Sequence, residues 1–394
     1  MPNPSGLTGR WISVCLLCLL LAGCQYAPVD TRQHITETTY HTDLTWETYP
    51  SLPMGVLGHR VTANRDALVV TGGFSGMGST TNAIQVFDGN QWQLLELKLL
   101  TPRAMHAQIA LADGRILLAG GLSGAGTSAQ PLTSTEIIDF KAGPNGKVVS
   151  GPDLASPTRS PSGHRLPDGR VVIIGGQHAT VIDPSVMNDT LKIELQEKRL
   201  DHASVLLDGN HIAVIAGRTP SIERLDIDSR QSTLLPDRLP LAIDDFRAAR
   251  LTDGRVWILG GQDSDTGNTL EETWLLDPMQ PGNLTRGPTL GLSAGIADAC
   301  LVIADSRRAW LLGGESQASG KDDELQTVRM LDLERARIIR QTAMGHDHDD
   351  AAAAYWRGRL IILGGLSYLN LMGQTVPYPN DQVESAVIVD ALTN

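Results

Sequence analysis

The chain has 394 residues, 41% of them hydrophobic and 19% charged, with 40 Gly but only 4 Phe and 6 Tyr. That length supports a large core, and the glycine-rich composition favours short strands and tight turns over long helices. The 32 basic and 44 acidic residues give a net charge of −12, and no Lys/Arg cluster could track a phosphate backbone, which argues against nucleic acid as a partner.

Residues 1–23 begin with a short basic stretch ending at Arg10, followed by the apolar run Trp11–Ala22. The run is too short to span a bilayer comfortably and reads as the core of a signal peptide. It ends in Leu21-Ala22-Gly23-Cys24, which resembles the bacterial lipobox. That resemblance implies lipid on Cys24 as the mature N-terminus, and Gln25 after it implies the outer membrane, facing the periplasm. Residues 24–42 are polar and aperiodic and read as a tether. The anchor would be the only membrane contact. Cys15 and Cys18 leave with the signal, so Cys300 is the remaining thiol. No intramolecular disulfide is expected, and in Ala-Asp-Ala-Cys-Leu-Val-Ile it reads as a small buried hydrophobe.

Residues 43–394 repeat one phrase seven times, an apolar run closing on a diglycine. The copies end at Gly73, Gly121, Gly176, Gly217, Gly261, Gly314 and Gly365, about 41 to 55 residues apart. The fourth has Ala216 in place of its first glycine. Turn signals such as Asp113-Gly-Arg, Asp168-Gly-Arg and Asp253-Gly-Arg precede the runs, as expected of tight hairpins. A third strand such as Ala83–Asp88 or Ser134–Asp139 follows each diglycine, and an outer strand is clearest at Gln91-Trp-Gln-Leu-Leu. The expected fold is an all-β, seven-bladed propeller with four antiparallel strands per blade. The last unit lacks its outer strand and Asp43–Thr48 is an orphan, so the N-terminal strand is expected to close blade seven.

The stretch Arg103-Ala-Met-His106 through Gly121 resembles the kelch family, in particular bacterial members similar to the central propeller of galactose oxidase. The likeness spans about 43–394. It speaks for fold more than for function, because such blades serve enzymes, adhesins and scaffolds alike.

The geometry places the inner-strand starts and the loops after the diglycines on one face. Near those starts stand His59, His106, His164 and His202, with Asp245, Asp298 and the His346-Asp-His-Asp-Asp350 cluster at comparable places in the other blades. These histidines, together with Tyr368 and Tyr378 in the long loop 366–381, are the candidate binding residues, His346 included. The histidines equally suit contacts between blades. Arg103, Arg159 and Arg247 suit either carboxylate recognition or blade packing. No catalytic motif such as G-x-S-x-G or H-E-x-x-H is present. Galactose-oxidase chemistry, which needs copper and a cysteine–tyrosine cross-link, is not expected with Cys300 in an apolar run. The leading expectation is a lipid-anchored, non-catalytic module without cofactor that binds a glycan or an envelope protein. The alternative is a carbohydrate-active enzyme resembling a sugar epimerase or mutarotase, using His348, Asp350 and Arg103. A metal on His346 and His348 is a further alternative.

Overall fold

Each apolar run that closes on a diglycine forms the second strand of a blade, buried on both faces. Leu68–Thr71, Ile116–Ala119 and Val256–Leu259 are buried at every residue. Neighbouring blades cover both sides, so these strands read as continuous apolar runs without alternation. The computed structural model describes residues 44–388 apart from 64–65, 77, 187–189, 292–294, 319–320 and 372–373. The expected signal segment 1–23, the tether 24–42 and Cys24 lie outside the described residues.

Seven antiparallel blades are present. From the axis outward, blade one consists of Arg60–Ala63, Leu68–Thr71, Ile84–Phe87 and Trp92–Leu94. Blades two to six start at inner strands Ala107–Ala110, Ser162–Arg165, Ala203–Leu206, Arg247–Arg250 and Cys300–Ile303. In blade three the segment Val171–Ile182 runs through Gly175-Gly176 and supplies both middle strands. Blade seven consists of Ala352–Trp356, Arg359–Leu363, Val383–Val387 and, outermost, Trp46–Thr48. The N-terminal strand thus closes the ring, pairing Trp46 with Ala386 and Thr48 with Glu384. Tyr49 and Leu52 continue the zipper, donating to the Val383 and Asp381 carbonyls at 2.8 and 2.9 Å.

The diglycines couple each blade to the next. The second glycine donates its N–H to the segment that leads into the following blade: Gly73 to Arg103 O, Gly121 to Thr158 O, Gly261 to Ile296 O and Gly314 to His348 O, all at 2.8–2.9 Å. Gly365 donates to Val56 O at 2.9 Å, returning to blade one. The first glycine permits that approach. A Cβ on Gly72, whose φ is +59°, would meet Arg103 O at 2.1 Å. Ala216 fills the equivalent place in blade four with a φ of 47°, a left-handed conformation that costs a non-glycine residue about 1–2 kcal/mol.

Apolar layers fill the gaps between blades. At the closure, Phe87 lies 5.2 Å from Tyr49, 5.1 Å from Trp92 and 5.8 Å edge-on from Trp356. These rings join blade one to blade seven in one cluster with Leu52, Val56 and Val383. Phe87→Ala is therefore expected to lower the unfolding free energy by about 3–5 kcal/mol, measured by urea denaturation followed by circular dichroism. Deleting residues 44–49 should lower the midpoint further, because it opens a sheet edge as well as a core. A deletion variant as stable as the parent would contradict the closure.

Candidate functional site

Just before each inner strand the backbone turns through the left-handed region, one residue per blade. The positions are Gly58, Met105, Ser160, Asp201, Asp245, Asp298 and Asp350, with φ between 46° and 60°. Successive turns are joined by backbone hydrogen bonds, from Gly58 N to Asp350 O, Met105 N to Gly58 O, Ser160 N to Met105 O and Asp298 N to Asp245 O. Asp tolerates this conformation better than most residues. Blades four to seven all use it, so four aspartates occupy adjoining places around the axis.

These turns line a cavity of about 430 Å3 at the axis, together with Arg60, Arg159, Ser162, His202, Arg247, Cys300 and Ala352. The cavity is acidic on the side of blades four to seven. Asp201 is fixed by Arg159 at 2.8 Å and Arg218 at 3.3 Å. Asp245 accepts from Gln262 Nε2 at 2.9 Å. Burial, reinforced by the Asp201 and Asp244 charges, pushes the Asp245 carboxyl up to about 7. Burial also drives Asp298 well above the ordinary carboxylate range, with the Asp245 and Asp350 charges adding to it, and Asp350 is raised chiefly by burial. Cys300 Sγ donates to Ala351 O at 3.2 Å, and burial lifts its thiol to about 11. Cys300, read from the sequence as a small buried hydrophobe, is instead half-buried on the cavity wall.

Of the residues singled out from sequence as catalytic alternatives, Asp350 lines this cavity and the other two do not. Arg103 is fully buried between blades and donates to Gly120 O, Ser134 O and Ser134 Oγ at 2.8–3.0 Å and to Glu136 at 2.7 Å. Glu136 also accepts the N–H groups of Leu100 and Thr101. The same arrangement recurs with Arg199 on Glu223, which accepts from the Gln196 and Glu197 N–H groups. In blade seven His348 takes the arginine's place, with Nε2 3.4 Å from Glu384 and Nδ1 3.1 Å from Gly364 O. His346 reaches the same carboxylate at 3.3 Å, and Glu384 accepts the Gly345 and His346 N–H groups. The segment is not a strand, and its two imidazoles meet on a carboxylate already holding backbone. Among the described residues no His/Cys/Asp/Glu group has the geometry of a metal site.

The other histidines are mostly built into the blade seams. His59 and His106 are fully buried, and burial, with the nearby Arg60 charge, lowers His59 to about 3. Thr71 Oγ1 lies 2.8 Å from His106 Nε2. His202 touches the cavity, but its Nε2 is engaged 2.8 Å from Ser162 Oγ. His164 sits further along its strand, 2.6 Å from Ser204 Oγ. Tyr368 and Tyr378 lie on a two-stranded ribbon, Leu366–Leu371 with Gln374–Pro379, where a loop was expected. Tyr378 pairs with Ser367 and Tyr368 with Pro377, so the two rings project to opposite faces. Tyr368 is about half exposed, and the pair does not form one platform.

Sequence reasoning missed Asp201, Arg60 and Ser160. It registered blades one to four on His59, His106, His164 and His202, whereas the left-handed turn lies one residue earlier in three of them and four residues earlier, at Ser160, in blade three. In Asp201-His202 the histidine masked the aspartate. Aligning Gly58, Met105, Ser160, Asp201, Asp245, Asp298 and Asp350 on the inner-strand starts reveals the acidic arc.

No known family profile and no curated protein matches the chain. Solved structures do. A fungal alcohol oxidase of the AA5 family, in complex with copper, is 14% identical with a TM-score of 0.62, over 89% of this chain and 76% of that one. The structure of YjhT is 12% identical with a TM-score of 0.50, over 87% of this chain and 98% of that one. At these identities the likeness concerns the fold, a kelch-type propeller. The cavity does not suit copper. Copper favours imidazole and thiolate donors, whereas this wall offers carboxylates, three guanidiniums, one engaged imidazole and a thiol held protonated, and no lining residue is a tyrosine.

The raised Asp245 pKa has a stability consequence. Between about pH 4 and 7 the folded protein holds a proton there that the unfolded chain has released, so this group's contribution to stability falls as pH rises through that window. Asp245→Asn should therefore stabilise the protein by an amount that grows from pH 4 to 7 and then levels off. Thermal unfolding across a pH series measures it, and a pH-independent difference would contradict the assignment.

Proposed function

We propose that this kelch-type propeller is a lipid-anchored protein of the bacterial cell envelope, in the outer membrane facing the periplasm, that binds the sugar end of a glycan in its axial cavity. One observation carries the reading: four aspartates from consecutive blades and three arginines face a single cavity of about 430 Å3. That volume falls within the usual range for small-ligand sites, and it is too confined for a folded partner. Carboxylates and guanidiniums at fixed positions suit a ligand dense in hydroxyl groups, each of which both donates and accepts. The left-handed turns hold the carboxylates on rigid backbone, as a selective site requires. An envelope protein partner would have to use the surrounding ribbons instead. The lipid anchor follows from the resemblance of Leu21–Cys24 to a lipobox.

A second reading has its own support. Asp245, with a pKa of about 7, can take up and release protons at neutral pH, next to Asp298, whose carboxyl burial also shifts upward. With Asp298 raised by the same burial, the two carboxyls suit an isomerase that opens and closes a sugar ring, with Asp350 rather than His348 or Arg103 as the third group.

Ala352 lines the cavity and is 7% exposed. Ala352→Phe should fill the site and reduce binding on a glycan array by tenfold or more while leaving the circular dichroism spectrum unchanged. Undiminished binding by the folded variant would overturn the reading. Exchange spectroscopy of sugar anomers separates the two functions. Faster anomer exchange that is lost in Asp245→Asn marks an isomerase, and binding without such exchange marks a receptor.

A further inference from the structure

We propose that Arg60 and Arg247 form an oxyanion clamp in the axial cavity, and that the ligand it accepts carries a carboxylate group. The proposal rests on the cavity being a ligand site and specifies the chemistry of what enters it.

Arg60 opens the inner strand of blade one and Arg247 that of blade five. The two blades are three steps apart around the ring, the greatest separation that seven blades allow, so the guanidiniums approach the axis from facing sides. Both are folded in the same way. Arg60 Nη1 donates to His59 O at 3.0 Å, and Arg247 Nη1 donates to Phe246 O at 2.9 Å. A carbonyl of the preceding residue therefore anchors each fork while most of its five N–H donors stay available. Arg159 differs, because Asp201 takes both its Nε and its Nη2, at 3.3 and 2.8 Å. The carboxylate paired with Arg247 is Asp298, whose oxygen is 3.8 Å away, beyond hydrogen-bond reach. Arg60 forms no ion pair with a described residue.

Two half-buried cations that face one cavity, with only the 3.8 Å pair from Arg247 to Asp298 as a direct counter-charge, repel each other. Burial and the Arg247 charge together push the Arg60 pKa below the ordinary guanidinium value. The carboxyls nearest to them do not cancel this fully, since Asp245, Asp298 and Asp350 are each shifted toward the protonated form. An arriving anion relieves the strain between the two guanidiniums, and the planar fork matches a carboxylate in two places. The same acidic arc selects the anion. A phosphate dianion would face the aspartates with twice the charge, whereas a carboxylate flanked by hydroxyls gives the arginines one charge and the aspartates hydrogen bonds. The ligand class is thus an acidic sugar or a related hydroxy acid.

Titration calorimetry with the full chain tests this, using glucuronate and galacturonate against glucose and galactose, with inorganic phosphate as a separate arm. The clamp predicts that a hexuronate binds at least tenfold more tightly than its parent hexose. Arg60→Gln and Arg247→Gln should each abolish that preference, whereas Arg115→Gln on the opposite face should leave it intact. Arg60→Lys and Arg247→Lys, which keep the charge but lose the fork, should retain part of it and guard against misfolding of the Gln variants. Equal binding of hexose and hexuronate, unaffected by Arg60→Gln, would overturn the clamp and leave the cavity reading standing. Phosphate binding more tightly than either hexuronate would overturn the carboxylate assignment. Binding of no sugar of either kind would remove the cavity reading, and the clamp with it.

Discussion

The fold depends on a close approach of backbone to backbone at the diglycines. At Gly72, Gly260, Gly313 and Gly364 the next blade's carbonyl oxygen stands where a β-carbon would be, within 2.6 Å of its ideal place. That closeness lets the following glycine's N–H reach the neighbouring segment, so every blade is tied to the next through main chain and not only through apolar packing. Because the last tie, from Gly365, returns to Val56, the ring has no free end. Buried Glu136, Glu223 and Glu384 add a second layer of attachment by gathering N–H groups of the segments that lead towards the next blade, two of them in the strand Thr190–Arg199.

A ring fixed in this way presents seven equivalent positions to its axis, and chemistry enters only through what the sequence writes there. Blades one to three place Gly58, Met105 and Ser160 at the left-handed turn, and blades four to seven place aspartates. The asymmetry gives the cavity an acidic arc, and the inner strands add Arg60 and Arg247 two residues after the turn. Nothing in the blade-to-blade attachment requires that arc, since Gly58, Met105 and Ser160 support the same turn. The seam residues behave in the opposite way. Arg103, Arg199 and His348 are interchangeable solutions to one structural problem, which is to fill the space beside a buried glutamate.

This division explains what could be read from the sequence and what could not. The blades were legible because the diglycine, the Asp-Gly turn and the apolar run are local signals forced by backbone geometry at each repeat. Even the closure by Trp46–Thr48 followed from counting strands at the two ends. The site was less legible because histidine is the most conspicuous residue near the inner strands, and His59 and His106 are conspicuous for structural reasons. Three of the four aspartates, Asp245, Asp298 and Asp350, already stood out near the inner-strand starts, and Asp201 joins them once blade four is registered on its turn rather than on His202. Arg60 and Cys300 gave no local cue at all, since their exposure to the axis arises from the closing of the ring. The long loop around Tyr368 and Tyr378 became a ribbon because Leu366–Leu371 and Gln374–Pro379 pair with each other, and its strand alternation is what separates the two rings.

Burial at the axial cavity raises the proton affinity of Asp245, Asp298 and Asp350. Difference infrared spectroscopy of the carboxyl stretch, comparing the parent protein with Asp298→Asn across pH 3 to 9, tests it most directly. The parent is expected to keep a protonated carboxyl band above about pH 5 that is missing from the variant. If the two titrate identically, with no such band attributable to Asp298 above about pH 5, where an ordinary aspartate is already ionised, the aspartates are ordinary solvated charges and the account of the cavity is wrong.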